Sequence, residues 1–112
     1  MTEQVRDEGG KCVIELDGEI DLDRAPELRG LLLDCITRGR DVLVDLSRVS
    51  YIDSSGIASL VEALQSASRN GIALGLVAIS PVALRVFELA RLDKVFTIYP
   101  DLGAALAAAD QE

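Results

Sequence analysis

Two hydrophobic periodicities alternate along this chain, and their order constrains the fold more than any other feature of the sequence. Residues 11–16 alternate apolar and polar positions, as half-buried strands do, whereas residues 28–36 repeat apolar positions at the spacing of one helix face. The alternation of strand and helix periodicities continues to the end of the sequence. It predicts strands over 42–46, 72–79 and 95–98 and helices over 57–68, 81–90 and 102–109. Such alternation indicates βαβ units, right-handed crossovers and a mostly parallel sheet, which is an α/β fold.

Residues at the ends of these segments support the boundaries. Gln4-Val5-Arg6, which precedes the turn residues Gly9-Gly10, predicts a short partner strand for the first main strand. Asp23 is predicted to be the N-cap of the first helix, with Pro26 in its first turn. Ser80, directly before a proline, is predicted to be the N-cap of the third helix.

Length and charge limit the class of protein. The chain has 112 residues, the length of one domain, so we assign residues 1–112 to a single unit. Eleven Lys and Arg against nineteen Asp and Glu leave a net charge of −8, which disfavours direct binding to nucleic acid. The N-terminus is polar and no apolar run approaches about 20 residues, so we expect no signal peptide, no membrane insertion and a cytoplasmic location.

The side-chain inventory narrows the chemistry. The chain has no histidine, which excludes histidine-based triads and histidine metal sites. Cys12 and Cys35 fall on apolar stripes without a CxxC spacing, so we expect two reduced thiols that pack in the core. A run of alternating acids favours one solvated strand face over a metal site, namely Glu15, Asp17, Glu19, Asp21 and Asp23. We therefore expect no metal and no cofactor.

The segment Asp53-Ser54-Ser55-Gly56 follows a predicted strand and opens a predicted helix, where α/β sheets usually place function. One interpretation is a plain helix start, in which Asp and Ser cap the free N–H groups and Gly56 permits close packing. The other is a phosphate-accepting serine at the positive end of a helix. A serine hydrolase is disfavoured because the serine would lack a histidine base, and no phosphate-binding glycine motif follows any strand.

The segment 44–61, VDLSRVSYIDSSGIASLV, resembles the signature of STAS domains, and most of all that of bacterial anti-sigma factor antagonists. Three further segments match the family in order: Gly18-Glu19-Ile20-Asp21, Ala78-Ile79-Ser80-Pro81, and the stretch from Val86-Phe87 to Phe96. The resemblance covers nearly the whole chain. It implies the STAS fold, a small, mixed, mostly parallel sheet with helices mainly on one side.

The resemblance also implies a function without catalysis by this chain. Members of the family bind an anti-sigma factor that is a serine kinase, and this binding frees the sigma factor. The kinase phosphorylates the serine after the aspartate, here Ser54, which ends binding until a PP2C-type phosphatase removes the phosphate. By position, Asp21, Asp53, Ser55 and Gly56 are expected to belong to the partner-binding surface.

A second hypothesis stays open within the same family. The domain would then be a subunit of a phospholipid-transport ABC system or of a stressosome-like assembly, and would brace its partners without being phosphorylated. The intact Asp-Ser-Ser-Gly segment and the short chain favour the antagonist. We expect the protein to be a monomer or a weak dimer.

Overall fold

The computed structural model describes residues 3–109. It contains a five-stranded sheet and four α-helices. In chain order, the elements are β1 (Glu3–Glu8), β2 (Lys11–Ile20), α1 (Ala25–Thr37), β3 (Val42–Ile52), α2 (Ser54–Arg69), β4 (Leu74–Val77), α3 (Pro81–Leu89), β5 (Thr97–Tyr99) and α4 (Leu102–Ala109). No helix of this part of the chain is long and apolar enough to cross a membrane.

The strands lie side by side in the order of the sequence, from β1 to β5. β1 and β2 are antiparallel and form a hairpin, whereas β2, β3, β4 and β5 are parallel. Each parallel connection carries a helix, as the alternating periodicities predict. The mixed, mostly parallel α/β sheet is thereby confirmed.

The strand order also explains where the helices lie. Each crossover connects a strand to its next neighbour on the same side. Because such crossovers are right-handed, their helices all lie on one face of the sheet. The main core joins that face to α1, α2 and α3, through Leu28, Leu32, Cys35, Leu60, Ala63, Ala67, Ala83 and Phe87. Among the helices of residues 3–109, α4 alone covers the other face, where Ala105 packs with Val13, Leu43 and Val77. The prediction of helices mainly on one side is therefore confirmed.

Two central strands are longer than their periodicity predicts. β2 continues to Ile20 and β3 to Ile52, beyond the predicted ends at residues 16 and 46. The pairing of β2 with β3 shifts register twice, after Glu15 and after Gly18, and Gly18 has a φ of +71°. Such irregularities break the period-two pattern from which a strand is recognised. The expectation that the five alternating acids share one strand face is wrong, because β2 ends at Ile20 and Asp21 and Asp23 lie beyond it.

The start of α1 differs from the prediction. The N-cap is Arg24 rather than Asp23, and its side chain makes no capping hydrogen bond. Instead, one carboxylate oxygen of Asp21 accepts the N–H groups of Asp23 at 3.1 Å and of Arg24 at 3.2 Å. Asp21 therefore supplies the acceptor that the sequence analysis assigned to Asp23. By contrast, Ser80 is the N-cap of α3 as predicted and accepts the N–H of Ala83.

The two cysteines lie in the main core, as predicted. Cys12 at the start of β2 and Cys35 on α1 are buried, and they form no disulfide bond with one another. Burial, together with the neighbouring Cys12 thiol, raises the pKa of the Cys35 thiol to about 12. The thiol is therefore protonated at neutral pH and behaves as a small apolar group.

Candidate functional site

The carboxyl ends of β2 and β3 meet at one end of the sheet, and the candidate site lies there. Beyond Asp45, β3 pairs with β2 alone among the described residues, so this pair of strands extends past the rest of the sheet. The backbone N–H of Asp53 donates to the carbonyl oxygen of Ile20 at 3.2 Å. This bond joins the β2–α1 turn, which contains Asp21, to the segment that opens α2.

Asp53 is the N-cap of α2 and has the extended backbone of a capping residue, with φ −105° and ψ −174°. Its Oδ1 accepts the backbone N–H groups of Ser55 at 2.9 Å and Gly56 at 3.2 Å, and also the Ser55 hydroxyl. The pKa of Asp53 is lowered, above all by the hydrogen bond from the Ser55 hydroxyl and also by the N–H groups of Gly56, Ser55 and Leu22. Desolvation acts in the opposite direction but does not outweigh these contributions. Asp53 is therefore ionised at neutral pH.

The two serines of the segment have different environments. Ser55 is half-buried, and its hydroxyl donates to the Asp53 carboxylate. Ser54 is exposed as the first residue of α2, and its hydroxyl has no hydrogen-bond partner within residues 3–109. The side chain of Ser54 is thus free to meet another molecule, whereas that of Ser55 is committed to the cap. Helix-capping patterns in the sequence do not separate these two neighbours, whereas the family resemblance implies a phosphate on Ser54.

Gly56 is buried where α2 meets the ends of β2 and β3. A Cβ on this residue would lie 2.8 Å from side-chain carbons of both Ile20 and Ile52, and 3.1 Å from the Ile20 carbonyl oxygen. The absence of a side chain therefore permits this close approach. The structure gives Gly56 a packing role, and its assignment to a partner-binding surface stays a prediction.

Asp21 is half-buried and lies on the same end of the sheet as Ser54. One of its carboxylate oxygens is used in the turn before α1, as described above. An open depression beside it is lined by Glu19, Asp21, Asp23 and Arg24. The surface next to the candidate site is consequently acidic.

Leu22 is a feature of this end that the sequence analysis missed. Its side chain is 71% exposed, and its backbone N–H contributes to the lowered pKa of the Asp53 carboxyl. An apolar side chain is thus presented to solvent from a turn that directly follows Ile20, whose carbonyl oxygen is hydrogen-bonded to Asp53 at the start of α2. In the sequence, Leu22 stands between two aspartates in a predicted turn, where no hydrophobic periodicity indicates whether a leucine is buried or exposed.

The comparison with protein families decides the relationship. The family model described as "STAS domain" matches residues 2–105. This chain belongs to the STAS domain family. The chain is also 32% identical over 85 residues, 76% of its own length and 78% of the relative's, to the anti-sigma-B factor antagonist of Bacillus subtilis (strain 168).

Solved structures agree with this assignment. An anti-sigma factor antagonist from Mycobacterium paratuberculosis has a TM-score of 0.87 and 32% identity, covering 96% of this STAS domain and 92% of that chain. The anti-sigma factor antagonist SpoIIAA in its unphosphorylated form has a TM-score of 0.85 at 19% identity, covering 99% and 98% of the two chains. The phosphorylated form of SpoIIAA, a Bacillus cell fate determinant, has a TM-score of 0.76 at 21% identity, covering 96% and 99%. The likeness to SpoIIAA establishes the shared fold.

The topology of the STAS domain bears on the kind of ligand this end can take. Small ligands of open α/β sheets bind in a crevice where the strand order reverses. Within residues 3–109 the order runs from β1 to β5 without such a reversal. The candidate site consists of a helix start and a turn at the end of the sheet.

Proposed function

We propose that this STAS domain is an anti-sigma factor antagonist whose binding is switched off by phosphorylation of Ser54. In the unphosphorylated form it binds an anti-sigma factor that is a serine kinase, and the sigma factor is released. A PP2C-type phosphatase restores the binding form. The observation that carries the proposal is the free, exposed Ser54 hydroxyl beside a Ser55 hydroxyl that is held by Asp53.

The start of α2 can carry a phosphate without refolding. A phosphate on Ser54 would sit at the positive end of a 16-residue helix whose first turn contains no acidic residue. Anions at this position are stabilised by the helix dipole. We therefore expect the phosphorylated and unphosphorylated domains to share one fold.

The same phosphate opposes binding of a partner. It adds about 1.5 to 2 negative charges at neutral pH, next to the ionised Asp53 and on the same end as Asp21. A partner that covers Ser54 must strip water from this charge, and an uncompensated buried charge costs several kcal/mol. Since about 1.4 kcal/mol changes affinity tenfold, exclusion of the charge is sufficient for a switch of roughly 100-fold.

The test uses the purified domain and an anti-sigma factor kinase encoded beside its gene. Incubation with ATP followed by mass spectrometry is expected to find one phosphate, on Ser54. Ser54→Ala is expected to abolish the phosphate and Ser55→Ala to retain it. Phosphate on Ser55 in the wild-type protein would overturn the assignment.

Calorimetric titration of the same partner tests the switch itself. Ser54→Ala is expected to bind at wild-type affinity and stay bound in the presence of ATP, whereas Ser54→Asp is expected to bind at least about tenfold more weakly. Equal affinities of the two variants would rule out charge exclusion. A stable complex that never becomes phosphorylated would instead favour a subunit of a transport complex or a stressosome-like assembly.

A further inference from the structure

Arg24 is a buried cation at a position where cations are unfavourable. It is the N-cap of α1, yet its side chain is only 1% exposed and makes no capping hydrogen bond. Ser, Thr, Asp and Asn are the residues preferred there, because they accept the free N–H groups of the first turn. A positive charge also faces the positive end of the helix dipole. Other contacts of Arg24 must therefore compensate for its burial.

Those contacts go to an irregular part of β2. Nη1 of Arg24 donates to the carbonyl oxygens of Asp17 and of Glu19, the latter at 3.0 Å. Nη2 lies 3.8 Å from the Asp17 carboxylate. The two carbonyls flank Gly18, where φ is +71° and the register with β3 shifts. The guanidinium thus bridges the backbone on both sides of the irregularity.

The bridged backbone leads directly into the candidate site. Ile20, which follows Glu19, accepts the Asp53 N–H at 3.2 Å. The next residue, Asp21, holds the turn before α1 through its carboxylate. A continuous series of contacts therefore runs from the Arg24 guanidinium through the end of β2 to the segment that presents Ser54.

We propose that Arg24 is a positioning residue, which fixes the end of β2 so that Ile20 and Asp21 hold the Ser54 segment in the form that a partner recognises. The effect on a partner rests on the proposed function, whereas the effect on the backbone does not. Arginine suits the role because its planar fork donates in several fixed directions, which a lysine ammonium does not reproduce. Arg24→Lys keeps the charge and is expected to fold.

The first experiment measures amide hydrogen exchange by NMR in Arg24→Lys and Arg24→Met, with no partner present. Loss of charge-assisted hydrogen bonds is expected to lower the protection of the Asp53 amide, which donates to Ile20, about tenfold or more. Protection of the Val44 amide in the central strand is expected to stay within about twofold in Arg24→Lys. Arg38→Met, which removes an exposed arginine at the other end of α1, is the control and is expected to leave the Asp53 and Val44 amides unchanged.

A local loss of protection separates positioning from stability. If all amides of Arg24→Lys lose protection equally, or if the Asp53 amide keeps its protection, Arg24 does not position this segment and the proposal is overturned. Arg24→Thr adds a residue that is able to cap α1, so recovery of overall stability without recovery of the Asp53 amide supports positioning.

The second experiment measures phosphorylation by the anti-sigma factor kinase. A loosened segment populates the recognised form less, so KM for Arg24→Lys is expected to rise several-fold while kcat changes little. Local loss of protection with unchanged KM contradicts the proposed role of the Ser54 segment in partner recognition, but leaves the positioning of the backbone by Arg24 intact. The two failures are therefore distinguishable.

Discussion

The carbonyl oxygen of Ile20 accepts the backbone N–H of Asp53 at 3.2 Å. The end of β2 is thus hydrogen-bonded to the start of α2, the helix that follows the neighbouring strand β3. This bond joins two segments that are distant in the sequence, the acidic turn after β2 and the Ser-Ser segment after β3. Because both segments are tied to one another by backbone, a change in either is expected to alter the surface that contains Ser54.

Substitution of Gly56 tests the close packing beneath that bond. In Gly56→Ala the new methyl group would lie 2.8 Å from side-chain carbons of Ile20 and Ile52, and 3.1 Å from a backbone oxygen. Overpacking of this kind costs about 1–3 kcal/mol. Urea unfolding is expected to show this loss together with weaker partner binding.

Gly30 provides the matched control, since it lies inside α1 and, apart from its chain neighbours and the nearby helix backbone, no atom lies within 4 Å of the position its Cβ would take. Gly30→Ala is expected to raise the free energy of unfolding by about 0.5–1 kcal/mol through helix propensity. A Gly56→Ala protein as stable as Gly30→Ala would show that the junction tolerates a side chain.

The Asp53 cap predicts a specific dependence of stability on pH. The Ser55 hydroxyl and nearby N–H groups hold the pKa of Asp53 below its ordinary value of 3.8. A carboxyl whose pKa is lower in the folded state stabilises that state above the unfolded pKa, and the contribution is lost as pH falls through the folded pKa. Wild type is therefore expected to exceed Asp53→Asn in stability near pH 7, and the difference is expected to shrink below about pH 3.8.

Comparison of the two proteins isolates Asp53, because Asp7 and Glu62, whose pKa values are also lowered by arginine partners, are present in both. Unfolding curves recorded from neutral to acidic pH provide the measurement. A stability difference that stays constant over the whole range would show that the charge of Asp53 does not stabilise the helix start.

Asp21 combines a structural contact with a predicted partner contact, and two variants separate them. Asp21→Ala removes the acceptor for the Asp23 and Arg24 N–H groups and is expected to cost about 1 kcal/mol of stability. Asp21→Asn keeps a side-chain acceptor but removes the charge, so it is expected to unfold nearly as the wild type does and to bind the anti-sigma factor more weakly.

Asp23→Ala is the control for both variants, since the Asp23 side chain is exposed and accepts no hydrogen bond from residues 3–109. It is expected to change stability by less than about 0.5 kcal/mol. Wild-type affinity of Asp21→Asn in calorimetric titration would assign Asp21 to the turn alone.

The buried thiols predict slow chemical modification. Because burial and the Cys12 thiol raise the pKa of Cys35 to about 12, almost no Cys35 thiolate is present near neutral pH. A thiol reagent is expected to label the native protein only at the rate of its unfolding and to label both cysteines promptly in denaturant. Rapid labelling of Cys35 under native conditions would contradict the packing described for α1.

The sequence by itself determined the order of strands and helices, because hydrophobic periodicity is a local property that each segment expresses in its own residues. It also determined the start of α2, since Asp53 caps the helix through N–H groups two and three residues further along the chain. The family signature over residues 44–61 added the expectation that Ser54 accepts a phosphate, which stays a proposal.

Only the tertiary structure decided which groups at the site are free and which are committed. Ser54 and Ser55 are adjacent and chemically identical, yet one is exposed and the other donates to Asp53. The lengths of β2 and β3, the capping role of Asp21 and the burial of Arg24 depend in the same way on register shifts between strands and on backbone groups that the fold brings together. Such contacts join residues far apart in the chain, so no local pattern in the sequence encodes them.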